Sequence, residues 1–418
     1  MALSNSTVTH LLDPRVDNTQ RTEFRLPEGM LSSSLKLADL GVYSTQLNDT
    51  TGWYYDAAVG VWSIIQKITL YSGSTVLDET HELSNEISVK TRMTTNQKSE
   101  DLARFDLLNA KNYQISESGA YSLDARNKDY YDKAQNAANT ERYRGQIQIA
   151  SAAEVGSAGS VMLSDCLEFL ASVPVLPNLP ELRLVIDWKT GAALQNALYQ
   201  QPGTTAVAAP NFQHKRPTLI ATEIMGVEMP EEVKIPYMRN FIERFSIPTA
   251  PAGSVVKNSF RSGALRNRYV KDLMLFNQFN GDYHGLRKAS RCPVMRKEKI
   301  QLVLNGQKYL PDAGCDQAAM KAQYFNDTRG SLNSNVGEFY NPRNANHDLL
   351  ANIDDSEKMA GNFAPFACAV NQKVDRLDIE YERKGYGTGA EHLPFTLVMF
   401  ARCAAMLEVK NGQVRLSY

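Results

Sequence analysis

The sequence predicts an all-β protein built from two similar β domains in tandem, and three observations carry that expectation. Strand-type alternation recurs along the chain, while helical periodicity is scarce. Two hairpin signals stand far apart, "KITLYSGSTVLD" at 67–78 and "QLVLNGQKYLP" at 301–311, the second folded over Asn305-Gly306. Matching Gly73 to Gly306 gives a spacing of 306 − 73 = 233 positions, slightly more than half of 418 residues. The length itself exceeds the roughly 250–300 residues at which one hydrophobic core stops growing, so two domains are expected.

Taken in order, "SSLKLADLGVYS" and "VWSIIQKITLYS" read as half-buried strands ending at turn residues. "SEDLARFDLLNA" reads as a short helix capped by Ser99, with Leu102, Phe105 and Leu108 at spacing three. Residues 109–145 form a long polar loop, too long for an ordinary connection. "RGQIQIAS" and "LPELRLVIDW" follow as strands, and the Pro-rich "SVPVLPNLP" limits any helix before the second of them. Residues 189–217 are small, polar and Pro-punctuated, which marks the passage between domains and divides the chain into 1–205 and 206–418. The strand pattern restarts at "TLIATEIMGVEM" and continues through "RNRYVKDLMLFNQ" and the second hairpin. A second polar loop covers 326–360; "VDRLDIEYERKG", "LPFTLVMFARC" and "AAMLEVKNGQVRLSY" complete the chain, the last turning at Asn411-Gly412. On this reading "LRLVIDW" closes the first half and "QVRLSY" the second.

Composition narrows the function classes. Lys and Arg number 45 against 46 Asp and Glu, a net charge of −1, so a protein that coats nucleic acid along its whole surface is not expected. The five cysteines are scattered without CxxC spacing and read as buried apolar residues, not as a disulfide or zinc framework. No signal peptide and no long apolar span is apparent. Catalytic signals are weak throughout. His81-Glu82 begins a zinc-protease pattern, but Asn85 stands where the second His belongs. The six histidines are too dispersed for a cupin-type metal cluster. "GYGTG" at 385–389 lacks the Lys and helix start of a phosphate loop, and Cys166 beside Asp165 has no His base in any recognisable pattern. The expectation is a non-enzymatic protein without cofactor or metal.

All-β domains of about 200 residues with long loops suit eight-stranded jelly rolls, which limit exposed edges by closing two sheets on each other. Several strings resemble the double jelly-roll major capsid proteins of eukaryotic double-stranded DNA viruses, in the lineage of Polinton-like viruses, virophages and large DNA viruses. These are "DNTQRTEFRLPEGMLSSSLKLADL", the two hairpins, "LPNLPELRLVIDW" and "AAMLEVKNGQVRLSY". The resemblance implies two tandem eight-stranded jelly rolls, a homotrimer with pseudo-hexagonal outline, and self-assembly into an icosahedral shell located in the virion. Implied partners are other copies of the chain, penton and minor capsid proteins, with an internal membrane left open and no sequence-specific nucleic-acid binding. The alternative reading is a β-sandwich receptor- or carbohydrate-binding viral surface protein. Candidate interface residues are the aromatic pairs Tyr130-Tyr131 and Phe339-Tyr340 within polar loops. The basic window adds Arg287, Lys288, Arg291, Arg296 and Lys297.

Overall fold

The structure, a computed structural model, describes residues 6–27, 30–43, 53–54, 64–81, 148–149, 157–173, 175–191, 193–194, 199–200, 211–213, 217–225, 230, 232–251, 253–279, 299–310, 366–384 and 395–418. The N-terminal half of the chain supplies β1 (Thr7–Leu12), β2 (Val16–Asp17), β3 (Arg21–Arg25), β4 (Met30–Tyr43), β5 (Trp53–Tyr54), β6 (Ile65–Ser72) and β7 (Thr75–His81). After these come β8 (Gln148–Ile149), β9 (Ser157–Met162), helix α1 (Glu168–Ser172), β10 (Leu182–Trp188), β11 (Tyr199–Gln200), β12 (Asn211–Gln213) and β13 (Thr218–Ile224). The C-terminal half forms β14 (Glu232–Ile247), β15 (Val255–Ser262), β16 (Arg268–Phe279), β17 (Lys299–Leu304) and β18 (Gln307–Lys308). It ends with β19 (Phe366–Val374), β20 (Leu377–Lys384), β21 (Phe395–Lys410) and β22 (Gln413–Ser417).

Pairing order establishes the duplication that the hairpins hinted at. In the N-terminal half, a sheet ordered β1-β13-β4-β9 is accompanied by another ordered β3-β10-β6-β7. In the C-terminal half the corresponding sheets run β14-β21-β16-β19 and β15-β20-β17-β18. Eight strands of one half therefore match eight of the other, in chain order and with the same neighbours. The fold is a double jelly roll.

Three expectations change. The strand at 218–224, read as opening the second domain, pairs with β1 and β4 and is the eighth strand of the first roll. The short β12 lies along β4 in the same register, with Asn211 opposite Tyr43 and Thr218 opposite Lys36. Sheet pairing thus crosses the 205/206 division. The physical reason is that the last strand of a jelly roll returns between the first and third, and local alternation does not say to which sheet a strand returns. Second, the counterpart of "LRLVIDW" in β10 is β20, "LDIEYERK"; β22 is an additional strand on β21. Third, Ser72 pairs with Thr75, so the first turn is Gly73-Ser74, and Asn305 occupies the place of Gly73 at a spacing of 305 − 73 = 232. Both positions have positive φ, +55° at Gly73 and +52° at Asn305, as two-residue hairpin turns require. The expected helix at 99–110 and the loops at 109–145 and 326–360 lie outside the described residues.

Each roll encloses its own core. Phe24, Ile68, Leu70, Leu184, Ile186 and Leu219 fill the first; Leu273, Leu275, Ile300, Leu302, Ile379 and Leu397 fill the second. Each such fully buried side chain contributes about 1.5–3 kcal/mol by leaving water. The two units are joined by one ladder. β14 and β21 pair over 16 residues, about 54 Å at the usual rise per residue. One end of this ladder, with Phe245, Leu397 and Met399, belongs to the second core. The other end delivers Tyr237, Ala405, Leu407 and Val409 into the first.

Candidate functional site

Strand directions define two poles in each roll. β6 and β7 meet at the Gly73-Ser74 turn, so the start of β6 and the end of β7 lie at the opposite pole of the first roll. β10 runs antiparallel to β6, and β3 antiparallel to β10, so the end of β10 and the start of β3 lie at that opposite pole too. The segments 13–20, 44–64, 82–156 and 189–217 therefore connect strands at one pole, the connection pole. Segments 26–29, 73–74 and 163–181 connect them at the other, the turn pole. The same argument for β15, β20, β17 and β18 puts 248–254, 280–298, 311–365 and 385–394 at the connection pole of the second roll, since Tyr309 and Leu310 still run back along β17. Its turn pole holds 263–267, 305–306 and 375–376. The candidates Tyr130, Tyr131, Phe339, Tyr340, Arg287, Lys288, Arg291, Arg296 and Lys297 lie outside the described residues. Every one of them belongs to a segment that leaves from and returns to a connection pole.

What the described residues resolve in detail is the seam between rolls. Over residues 397–401 β21 is buried on both faces: Leu397, Met399 and Ala401 point into the second core, while Val398 and Phe400 are fully buried on the other face. That is why "FTLVMFARC" is nearly continuously apolar. Arg402 shares this second face and forks onto its cross-strand partner Asp272, with Nε 2.8 and 3.0 Å from the two carboxylate oxygens and Nη2 closer still. Its Nη1 lies 3.8 Å from Glu168 of α1, so one guanidinium links the second roll's sheet to the first roll's helix. A β-bulge between Val270 and Asp272 absorbs one residue and switches the inward side of β16 from Val270 to Leu273 and Leu275.

Beside this link, Asp78 of β7 is almost fully buried and accepts 2.9 Å bonds from the backbone N–H groups of Phe169 and Glu79. It thereby satisfies one of the orphan amides at the start of α1. Burial pushes its carboxyl up to about 8, helped by Glu168 and opposed by those amides and by Arg239. Tyr237 of β14 donates its hydroxyl to the Leu77 carbonyl at 2.8 Å and stands edge-on to Phe169 at 4.7 Å; burial raises its phenol well above the usual range. Glu79 is held near about 2 by the His81 imidazole and the Lys67 ammonium, against the effect of partial burial. Arg239 reaches from β14 to Glu79 at 3.8 Å and donates to the Tyr418 hydroxyl. Arg268 lies over the rings of Phe241 and Tyr418, 3.9 and 4.0 Å from their centroids.

A pH dependence follows. Asp78 binds its proton more tightly folded than unfolded, so its stabilising effect is complete below the ordinary aspartate pKa and declines as pH rises toward about 8. Glu79 acts lower, losing its contribution only as pH falls toward about 2. Urea-unfolding stability is therefore expected to fall between pH 5 and 8, and D78N to flatten that slope; an unchanged slope would remove Asp78 from the account.

Sequence reasoning missed this seam. The available signal was Arg402 interrupting an otherwise apolar strand, which demands a carboxylate partner, yet nothing local identified Asp272 or Glu168 as that partner. Among the described residues no cluster of three or more metal-ligating side chains occurs. The arrangement holds two sandwiches in fixed relation and offers chemistry suited to packing.

The class that these observations define is the double jelly-roll protein, two sandwiches whose eight strands share one pairing order. No protein-family model matches the sequence, and no curated protein does. Solved structures match the fold. A chain of the Sputnik virophage, determined by cryo-EM, superposes with a TM-score of 0.59 at 11% identity, over 99% of this chain and 88% of that one. The Faustovirus major capsid protein gives 0.50 at 8% identity, over 97% and 91%. PBCV-1 VP54, fitted into a reconstruction of Sputnik, gives 0.50 at 10% identity, over 100% and 98%.

Proposed function

We propose that this chain is a major capsid protein, a non-catalytic coat subunit that trimerises into a pseudo-hexagonal block and tiles an icosahedral shell in the virion. The observation that carries the reading is the strict duplication of an eight-strand topology, β1 to β13 repeated as β14 to β21. Three copies of such a chain present six similar sandwiches around one axis, and six-sided blocks tile a surface. Likeness in fold to the Faustovirus major capsid protein supports the same reading. The boundary between rolls belongs at 225–231, between β13 and β14, in place of 205/206. Tyr130-Tyr131, Phe339-Tyr340 and the basic window at 287–297 remain the candidates for contacts between copies, since aromatic and Arg side chains are enriched at interface cores. Penton and minor capsid proteins, and an internal membrane if the particle has one, are the further partners this role implies.

The purified protein is expected to elute near three times 46.6 kDa, or as larger particles, and to show hexagonal outlines by negative-stain microscopy. A stable monomer that binds glycans on an array would overturn the proposal in favour of a receptor-binding sandwich.

A further inference from the structure

The two turn poles differ in charge. In the second roll three short turns come together there. Asn305 accepts from the backbone N–H groups of Asp375 and Arg376 at 2.9 and 3.1 Å and donates to the Lys373 carbonyl at 3.0 Å. The register Arg268↔Val374 brings the 263–267 turn beside the same segment. These turns and their flanks expose Arg261, Arg266, Lys308, Lys373 and Arg376 against three carboxylates: Asp375, the buried Asp378, and Glu243 of β14, which accepts from the backbone N–H groups of Gly263 and Ala264 at 2.9 Å. Asp378, despite burial, is held below the usual range by Arg261 at 2.9 Å and Arg376 at 2.6 Å. Arg266 and Lys373 form no ion pair among the described residues. Arg268, which follows the first of these turns, faces inward onto Phe241 and Tyr418. At the equivalent flanks of the first roll, Arg25 and Arg183 are balanced by Glu23 and Glu181, with no cationic excess among the described residues. The cationic turn pole is therefore a feature of one roll and not a by-product of the fold.

We propose that the turn pole of the second roll is a phosphate-contacting surface that binds the nucleic acid enclosed by the shell, through its backbone and without sequence preference. Three of the five exposed cations are arginines, whose planar donors suit phosphodiester oxygens. The two exposed aromatics nearby, Tyr269 and Tyr309, give their hydroxyls to the carbonyls of Asn371 and Ala369. Their rings are thereby tied along β19, and among the described residues no large apolar side chain projects from the three turns to enter a bilayer. Stable membrane attachment needs such insertion in addition to charge. A net charge of −1 on the whole chain is compatible with this, because the contact is local and many copies in a shell multiply a weak affinity. The choice of nucleic acid rests on the capsid reading above.

The test uses the full chain and a fluorescent 30-base-pair duplex, with binding followed by anisotropy from 50 to 200 mM salt. R266E/K373E should weaken binding at least tenfold at 50 mM and reduce the salt slope by about 2, near 0.9 per lost phosphate contact. R15E makes the same kind of charge change on the 13–20 segment, at a connection pole, and should leave binding unchanged. Absence of duplex binding by the wild-type protein, or an equal loss in R15E, would overturn the inference. So would binding only to vesicles containing 30% anionic phospholipid. Negative-stain images of the same samples separate the two proposals: hexagonal blocks without duplex binding sink this one alone, and duplex binding by a monomer sinks the capsid reading.

Discussion

Replacing Arg402 with methionine is expected to destabilise the protein by about 3–5 kcal/mol, the usual result of leaving a buried ionic partner uncompensated. Asp272 is 1% exposed and Glu168 7%, so neither carboxylate can recover its hydration once the guanidinium is gone. The volume of methionine nearly fills the space, which isolates the electrostatic loss from a cavity term. The control is R402M/D272N. Removing one of the two stranded charges should restore some of the loss, so the double variant should unfold at higher urea than R402M. If the single variant unfolds at the wild-type midpoint, the bridge between β21, β16 and α1 is not a contributor to stability. The loss should be concentrated at the seam, because Arg402 joins two strands of the second roll to the helix of the first. Limited proteolysis between the rolls is therefore expected to accelerate in R402M.

The second large effect is expected at Phe169. Truncation to alanine should cost about 3–5 kcal/mol, the range for deleting a buried aromatic ring and leaving a cavity. Phe169 is fully buried in the first core, and its ring meets that of Tyr237 of β14 edge-on at 4.7 Å. The variant therefore removes packing from the first roll and from the end of the long ladder together. Y237F should cost only about 1 kcal/mol, since it forfeits a single hydrogen bond to the Leu77 carbonyl while keeping the ring contact. Equal effects of F169A and Y237F on the urea midpoint would mean that packing does not dominate this contact.

Much of the fold was legible in the sequence because turn chemistry is local. Asn305-Gly306 and Asn411-Gly412 announced their hairpins, and both adopt the positive φ values that Asn and Gly tolerate. The alternating runs at 65–72, 182–188 and 299–304 became strands for the same local reason. β14 was harder to see. "EVKIPYMRNFIERFSI" mixes charges and Pro236 with apolar residues, because among the described residues it lies at the edge of its sheet with its outer side partly exposed, and proline is tolerated at an edge. The seam was not legible at all. Arg402 and Asp272 are 130 residues apart, and Asp78 and Phe169 are 91 apart, so their meeting depends on the return path of the chain.

By itself the sequence determined the β character, the duplicated hairpins and the absence of any compelling catalytic signature, since alternation and turn preference act over a few neighbouring residues. The tertiary structure alone decided that 218–224 belongs to the first roll and that β14 and β21 serve both cores. It alone gathered five exposed cations at one turn pole of the second roll. Those outcomes depend on which strand returns beside which, and strand order in a sheet is set by packing between distant segments.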